Sequence, residues 1–384
     1  MVKIYLDHGA TTPVDSEVQK AMMPYFSKKF GNASSLHQFG QEAAVALADS
    51  RKIIAKALNA EEDEIYFTSS GTESNNTILK GIAFANRNKG KHIITTKIEH
   101  DCVIHSSQWL ESQGFSVTFL SVDKYGLVNP DDVKKAIQSD TILVSVMHAN
   151  NEIGTIEPIR EIGKICREKN VYFHTDACQS FTKIPLDVRA DNLDLVTINA
   201  HKIYGPKGVG AFYKKRGIKI EPLFHGGGHE RGLRSSTENV AGIVGFAKAA
   251  EIGMARMDTD AKKLSSLRDK LINGCLQIEN TWLNGHPSSR LPNNANVGFA
   301  FIEGESIILN LDLKGIAAST GSACSSKSLE PSHVLLALGQ KHEEAHGSVR
   351  FSLGRSTTEK DIDYVLKVLP PIIKRLRAMS PMGK

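Results

Sequence analysis

A chain of 384 residues with 41% hydrophobic and 23% charged residues is neither disordered nor fibrous, and it is long enough to build a large core and a smaller second one. Its net charge of +5 is spread along the sequence without a Lys/Arg block, which speaks against nucleic acid as a partner, and no 18-residue apolar stretch predicts a membrane span. Five widely spaced cysteines, Cys102, Cys166, Cys178, Cys275 and Cys324, form no CxxC pair, which excludes a disulfide scaffold or zinc ribbon and points to a reducing, cytoplasmic setting.

The start, MVKIYLDHGATT, has no apolar signal core and predicts no leader. Short apolar, β-branched runs then follow at 64–68, 92–96, 116–122, 141–147, 171–177 and 193–199, separated by helical patterns that include 73–87, 130–138 and 158–169. Strands that are apolar at nearly every position need cover on both faces, so the fold class is α/β with a mostly parallel sheet. From about 240 a long helical region breaks the alternation. Short strands at 295–301 and 348–352 and an amphipathic helix near 359–377 then predict a smaller α+β domain, with the first dozen residues packed on it. The expected boundaries are 15–255 for the large domain, and 1–14 with 256–384 for the small one.

Ligands of open parallel sheets collect at the carboxyl ends of the strands. After the run at 64–68 comes SSGTESNN, small residues entering a helix, where the free N–H groups around Gly71 and Thr72 suit a phosphate; taken alone, the stretch reads first as a plain N-cap. His100 follows the run at 92–96, and Asp176 and Gln179 follow that at 171–177. A carboxylate at such a strand end needs a cation, and a protonated pyridine nitrogen is one that fits. Lys202, in NAHKIYGPKGVG, ends the run at 193–199. An amine for a Schiff base, an aspartate for a ring nitrogen, a stacking histidine and a phosphate cradle together are what pyridoxal phosphate chemistry requires.

HTDACQS, NAHKIYGPKGVGAFY, HGGGHERGLRSSTEN, STGSACSSKSLEPSHVLLALG and VRFSLGRSTTEKDID closely resemble the cysteine desulfurases of the IscS/NifS type, and the similarity runs from YLDHGATTP to the last helix. The resemblance implies pyridoxal phosphate fold type I, the aspartate aminotransferase-like fold, with a seven-stranded sheet in the large domain. It implies removal of sulfur from L-cysteine to leave L-alanine. It assigns Lys202 as the amine that tethers the cofactor, Asp176 as partner of the ring nitrogen, His100 as the stacking residue, Gln179 as partner of the phenolic oxygen and Asn151 as a contact to cofactor or substrate. Gly71, Thr72, Asn199 and His201 would hold the phosphate, Thr237 would reach the phosphate of the neighbouring subunit of a homodimer, and Arg350 would grip the substrate carboxylate. Cys324, in a loop at about 320–330 rich in Gly and Ser, is the implied sulfur acceptor and persulfide carrier. An IscU-type iron–sulfur scaffold is the implied acceptor protein, with Cys324 a transient cluster ligand only when docked on it; the isolated enzyme needs no metal.

The chain departs from the family pattern at Asn199, where relatives commonly carry Ser, at Ser236, which replaces a Gly, and at the variable pair His8 and Gly9; an Asn amide still donates to phosphate. It ends at SPMGK, where housekeeping relatives continue into a scaffold-docking tail. Cys178 reads as a buried thiol. HEEAH at 342–346 matches a zinc-protease signature, yet it runs directly into Gly347 and a strand where a long helix would be needed. A selenocysteine lyase or an aminotransferase of the same fold type is the alternative activity.

Overall fold

The structure is a computed structural model that describes residues 3–320 and 331–380. In chain order its strands are β1 (Ile4–Tyr5), β2 (Ile65–Thr68), β3 (His92–Thr96), β4 (Ser116–Leu120), β5 (Thr141–Ser145), β6 (Tyr172–Asp176), β7 (Leu195–Asn199), β8 (Gly210–Lys214), β9 (Thr281–Asn284), β10 (Asn294–Phe299), β11 (Ile316–Ala317) and β12 (Ser348–Ser352). Seven of them form one sheet in the order β2-β8-β7-β6-β5-β3-β4, in which only β8 runs antiparallel to its neighbours. The expected α/β architecture is therefore the observed one.

The pleat explains the apolar runs. Successive side chains of a strand point to opposite faces, so Ile94, Val144 and Val196 enter a core with Ile54, Ile162 and Phe246, while their neighbours Ile93, Leu143 and Leu195 enter another with Ile78, Leu79 and Val103. Each such side chain stabilises the fold by about 1.5–3 kcal/mol relative to exposure. A polar residue at any of them would lie in a helix-covered face.

A third core joins Leu264, Leu267 and Leu271 to Val297 of β10, Phe351 of β12 and Ile362, Val365 and Leu369 of the closing helix Glu359–Met379. There β10 lies between β9 and β12, and β1 pairs with β11, which ties the N-terminal segment to this part of the chain. One helix, Val240–Cys275, serves both bodies: Ile243, Phe246 and Ala250 pack under the large sheet, and Leu264 onward belong to the third core. The expected change of region near 255 thus falls inside a continuous 36-residue helix.

Two expectations need correction. Strand β8 has no counterpart among the predicted elements; it completes the sheet because Gly210 allows its first residue to lie against the Ser70 backbone, where a Cβ would stand 2.9 Å from the Ser70 carbonyl carbon. Pro158, expected at the first helical position, is the cap residue, and the helix runs Ile159–Lys169.

Candidate active site

The sheet order sets β7, β6, β5 and β3 side by side and parallel, so the segments leaving them converge on one edge. The cavity there has a volume of about 310 Å³, and its walls carry Lys202, Asp176, Asn151 and His100 from those four strand exits. Gly71, Thr72, Gln179, Asn199, His201 and Arg350 border the same space. That volume lies at the lower end of the roughly 300–1,000 Å³ usual for small-molecule sites.

The anion end is made by the helix Gly71–Asn86. Ser70 caps it, its Oγ accepting from the Glu73 amide at 3.1 Å, which leaves the Gly71 and Thr72 amides without intrahelical acceptors. A Cβ on Gly71 would stand 2.6 Å from Cys178 Sγ and 3.5 Å from Asn199 Nδ2, so only glycine keeps this cradle open. Asn199 Oδ1 is buried without a partner among the described residues. Glu73 binds Arg234 through Nε at 2.8 Å and Nη2 at 3.2 Å, which anchors the segment carrying Ser236 and Thr237 to the first turn. Thr237 itself lies in a separate pocket with Arg234 and Ser236, away from the main cavity.

At the other end Asp176 is buried, its Oδ2 accepting from Asn75 Nδ2 at 2.6 Å and its Oδ1 from the Cys178 amide at 2.9 Å. Among the described residues it has hydrogen bonds but no ion-pair partner, an arrangement that calls for a cation in the cavity. His100 caps the helix Asp101–Ser112, its Nδ1 accepting from the Cys102 amide at 3.2 Å. Burial, aided by the Lys202 charge, lowers its pKa. The neutral ring with Nδ1 as acceptor therefore carries its proton on Nε2.

Short links fix the remaining walls. Thr12 Oγ1 donates to the His201 carbonyl at 2.8 Å and accepts from the Tyr204 amide at 2.8 Å, so the N-terminal segment clamps the loop that bears Lys202. Burial, reinforced by Lys202, Lys207 and Lys183, pushes the His201 ring down to about 4, leaving it neutral. Gln179 Nε2 donates to the Gly9 carbonyl at 2.9 Å. Asn150 accepts from the amides of Glu152 and Ile153 and donates to the Ile98 carbonyl, which turns the chain so that Asn151 faces the cavity.

Arg350 of β12 brings the small core to the site. Its Nη1 donates to the Asn151 carbonyl and its Nη2 to Asp7 Oδ1, both at 3.0 Å, so part of its fork is already engaged. Asn75, Asp7, Cys102, Glu99, Glu152 and His333 also belong to this region and were not singled out from sequence. A carboxamide four residues after Gly71, on the same helix face, was the available signal for Asn75; the others had none. Cys178 is buried, as expected, and burial drives its thiol pKa well up. The HEEAH segment is the five-residue helix His342–His346, outside the cavity. Cys324 lies outside the described residues.

These features fit pyridoxal phosphate: a buried carboxylate with no ion-pair partner among the described residues, an anion cradle that only glycine leaves open, and a lysine on the wall of the same cavity. The family model for class-V aminotransferases matches residues 4–365. A cysteine desulfurase IscS of Methanosarcina thermophila is 57% identical over 379 residues, covering 99% of this chain and 94% of that protein. One from Clostridium botulinum strain Hall is 56% identical over 383 residues, covering 99% and 96%. Among solved structures, a NifS-like protein is 39% identical with a TM-score of 0.92, over 98% of this chain and all of that one. SspA in complex with cysteine is 36% identical with a TM-score of 0.83, over 91% and 99%.

Proposed function

The chain belongs to the class-V aminotransferase family and is a pyridoxal phosphate-dependent cysteine desulfurase; from that premise we propose how its own residues share the work. When bound, the cofactor would supply an electron sink for the charge that develops at the substrate's α-carbon. The Gly71 and Thr72 amides, Asn199 and His201 hold its phosphate, and Asp176 pairs with its ring nitrogen. Asn75 and the Cys178 amide fix the Asp176 carboxylate in place. His100 stacks on the ring and presents Nε2–H to the reacting side, and Gln179 and Asn151 complete the polar lining.

Lys202 is the amine that would tether the cofactor and, once free, would take the proton from the substrate's α-carbon. Arg350 grips the substrate carboxylate. Cys324 thiolate then attacks the substrate sulfur: an S–S bond forms, the Cβ–S bond breaks, and its electron pair stays with the carbon fragment, which is protonated to alanine. The persulfide on Cys324 passes to an acceptor, which we take to be an IscU-type scaffold.

A homodimer is supported by the surface. Met23, Phe26, Phe30, Leu36, Phe39 and Val45 are all exposed within one stretch of chain, with Leu36 at 92%. A run of large apolar side chains of this kind marks an interaction surface. It accords with a role for Thr237, which lies apart from this chain's own cavity, toward the cofactor phosphate of the neighbouring subunit. Four free thiols among the described residues support a reducing, cytoplasmic setting.

The observation that carries the assignment of roles is the buried Asp176, without an ion-pair partner among the described residues, in the same cavity as Lys202. Purified protein given pyridoxal phosphate is expected to show a visible band that borohydride bleaches, leaving the label on Lys202. A label on another lysine would refute the assignment. Alanine and persulfide formation from cysteine separate this activity from aminotransfer, and relative turnover separates it from selenocysteine cleavage.

A further inference from the structure

Lys202 also borders a second, smaller cavity of about 30 Å³, which lies between the Lys202 loop and the long helix. Its wall mixes apolar side chains such as Ile203, Leu264 and Leu353 with polar ones, and some of the polar groups are unsatisfied. Lys183 Nζ and Asn293 Oδ1 are buried with no partner among the described residues, and neither nitrogen of the His8 ring makes a well-formed hydrogen bond to them, although the Tyr5 carbonyl approaches the ring. Buried donors and acceptors are almost always satisfied. A chamber of this size with several polar partners has room for one or two waters.

The backbone around it is strained. Thr182, immediately before Lys183, has φ 58°, and Tyr204, two residues after Lys202, has φ 68°. Both line the chamber. A β-branched or bulky residue in the left-handed region is uncommon, and such strain persists where a functional geometry is imposed. Lys183 is buried on this wall without an ion-pair partner among the described residues, and Asp260, the acid on the same wall, is bonded to Arg355 at 2.8 Å.

We propose that this chamber holds ordered water joining the Lys202 amine to Lys183, and that Lys183 takes up and returns the proton Lys202 must exchange during turnover. One proton crosses the water from the Lys202 ammonium to the neutral Lys183 amine and later returns, so charge is conserved and no electron moves. Acting on Lys202 and not on substrate, Lys183 is a positioning residue. Burial, together with the Lys202 charge, brings it down to about 7, where both of its forms are populated near neutrality. The other titratable groups facing it are placed differently: His8 is pushed down to about 4, Cys178 well up, Tyr204 up, and Arg350 adds a fixed positive charge.

The inference rests on Lys202 as the cofactor-bearing amine. A crystal structure of the holoenzyme that shows ordered solvent is expected to place a water within hydrogen-bond distance of Lys183 Nζ and of Asn293 Oδ1 or His8; a dry chamber overturns the inference. Lys183→Met is expected to keep the visible band, while the single-turnover spectral change on adding cysteine slows roughly tenfold or more. In the wild type that rate rises with pH through about 7, as Lys183 becomes neutral, and the step is absent in Lys183→Met. Lys183→Arg, which keeps the charge but cannot release a proton, is expected to behave like the Met variant. A normal rate in Lys183→Arg overturns the relay in favour of a fixed charge. Should Lys183→Met fail to fold, the Arg variant and the water decide alone. A visible band that survives Lys202→Ala would instead refute the cofactor assignment itself, so the two failures are distinct.

Discussion

Asn75 donates to Asp176 across 2.6 Å, joining the second turn of the helix Gly71–Asn86 to the last residue of β6. The phosphate cradle and the carboxylate for the ring nitrogen are thereby fixed to one another at the two ends of the cavity. Asn75 Nδ2 also reaches Cys102 Sγ at 3.1 Å, and its Oδ1 is buried without a partner among the described residues.

Removing that bond in Asn75→Ala is expected to weaken pyridoxal phosphate binding about tenfold or more, since a hydrogen bond to a charged group contributes about 1.5–3 kcal/mol. Dialysis followed by the visible absorbance measures the retained cofactor. Full retention would show that Asp176 is held well enough by the Cys178 amide alone.

Arg350 holds Asp7 with one nitrogen and the Asn151 carbonyl with another. Lysine has a single point of attachment and cannot replace a planar fork. Arg350→Lys is expected to raise KM for cysteine by tenfold or more with a smaller change in kcat. Steady-state alanine release gives both constants, and an unchanged KM would place the substrate carboxylate elsewhere.

Glu73 and Arg234 are both largely buried, and their pair ties the Thr237 segment to the cradle. Burial pushes the Glu73 carboxyl up, but the Arg234 and Ser69 hydrogen bonds outweigh it and hold it below the ordinary value. Arg234→Met strands that carboxylate and is expected to lower stability by about 3–5 kcal/mol, read by chemical denaturation. A loss under 1 kcal/mol would mean that Ser69 and solvent suffice.

His174 is buried between Ser145 and Thr197, at 2.8 and 3.1 Å, and burial lowers it to about 4, as it does His148. The unfolded chain takes up these protons near pH 6.5 and the folded one only near 4. Stability is therefore full above about 6.5 and declines as the pH falls toward 4. His174→Gln is expected to flatten that decline in a series of thermal melts, whatever its effect at neutral pH. An unaltered acid slope would contradict it.

Cys324→Ala is expected to retain the visible band and to release no sulfur from cysteine. Sulfide and alanine assays on the loaded protein decide it, and unimpaired turnover would remove residue 324 from the reaction.

Much of this architecture is written locally. Runs such as TILVS and LVTIN are apolar at consecutive positions because a doubly covered strand needs both of its faces dry, so the alternation of strands and helices was legible. Strand exits are also local, and they put Lys202, Asp176 and His100 where ligands gather. The order of strands is not local. Strand β8 is five residues long and opens on glycine, and its place between β2 and β7 is set by partners far away in sequence. The same holds for Asp7 with Arg350, 343 residues apart, and for the meeting of Lys183, Asn293 and His8 around one small chamber. Hydrophobic period and turn chemistry are properties of neighbouring residues and can be read from a string; which polar groups meet depends on how the packed layers bring distant segments together, and only the folded chain decides that.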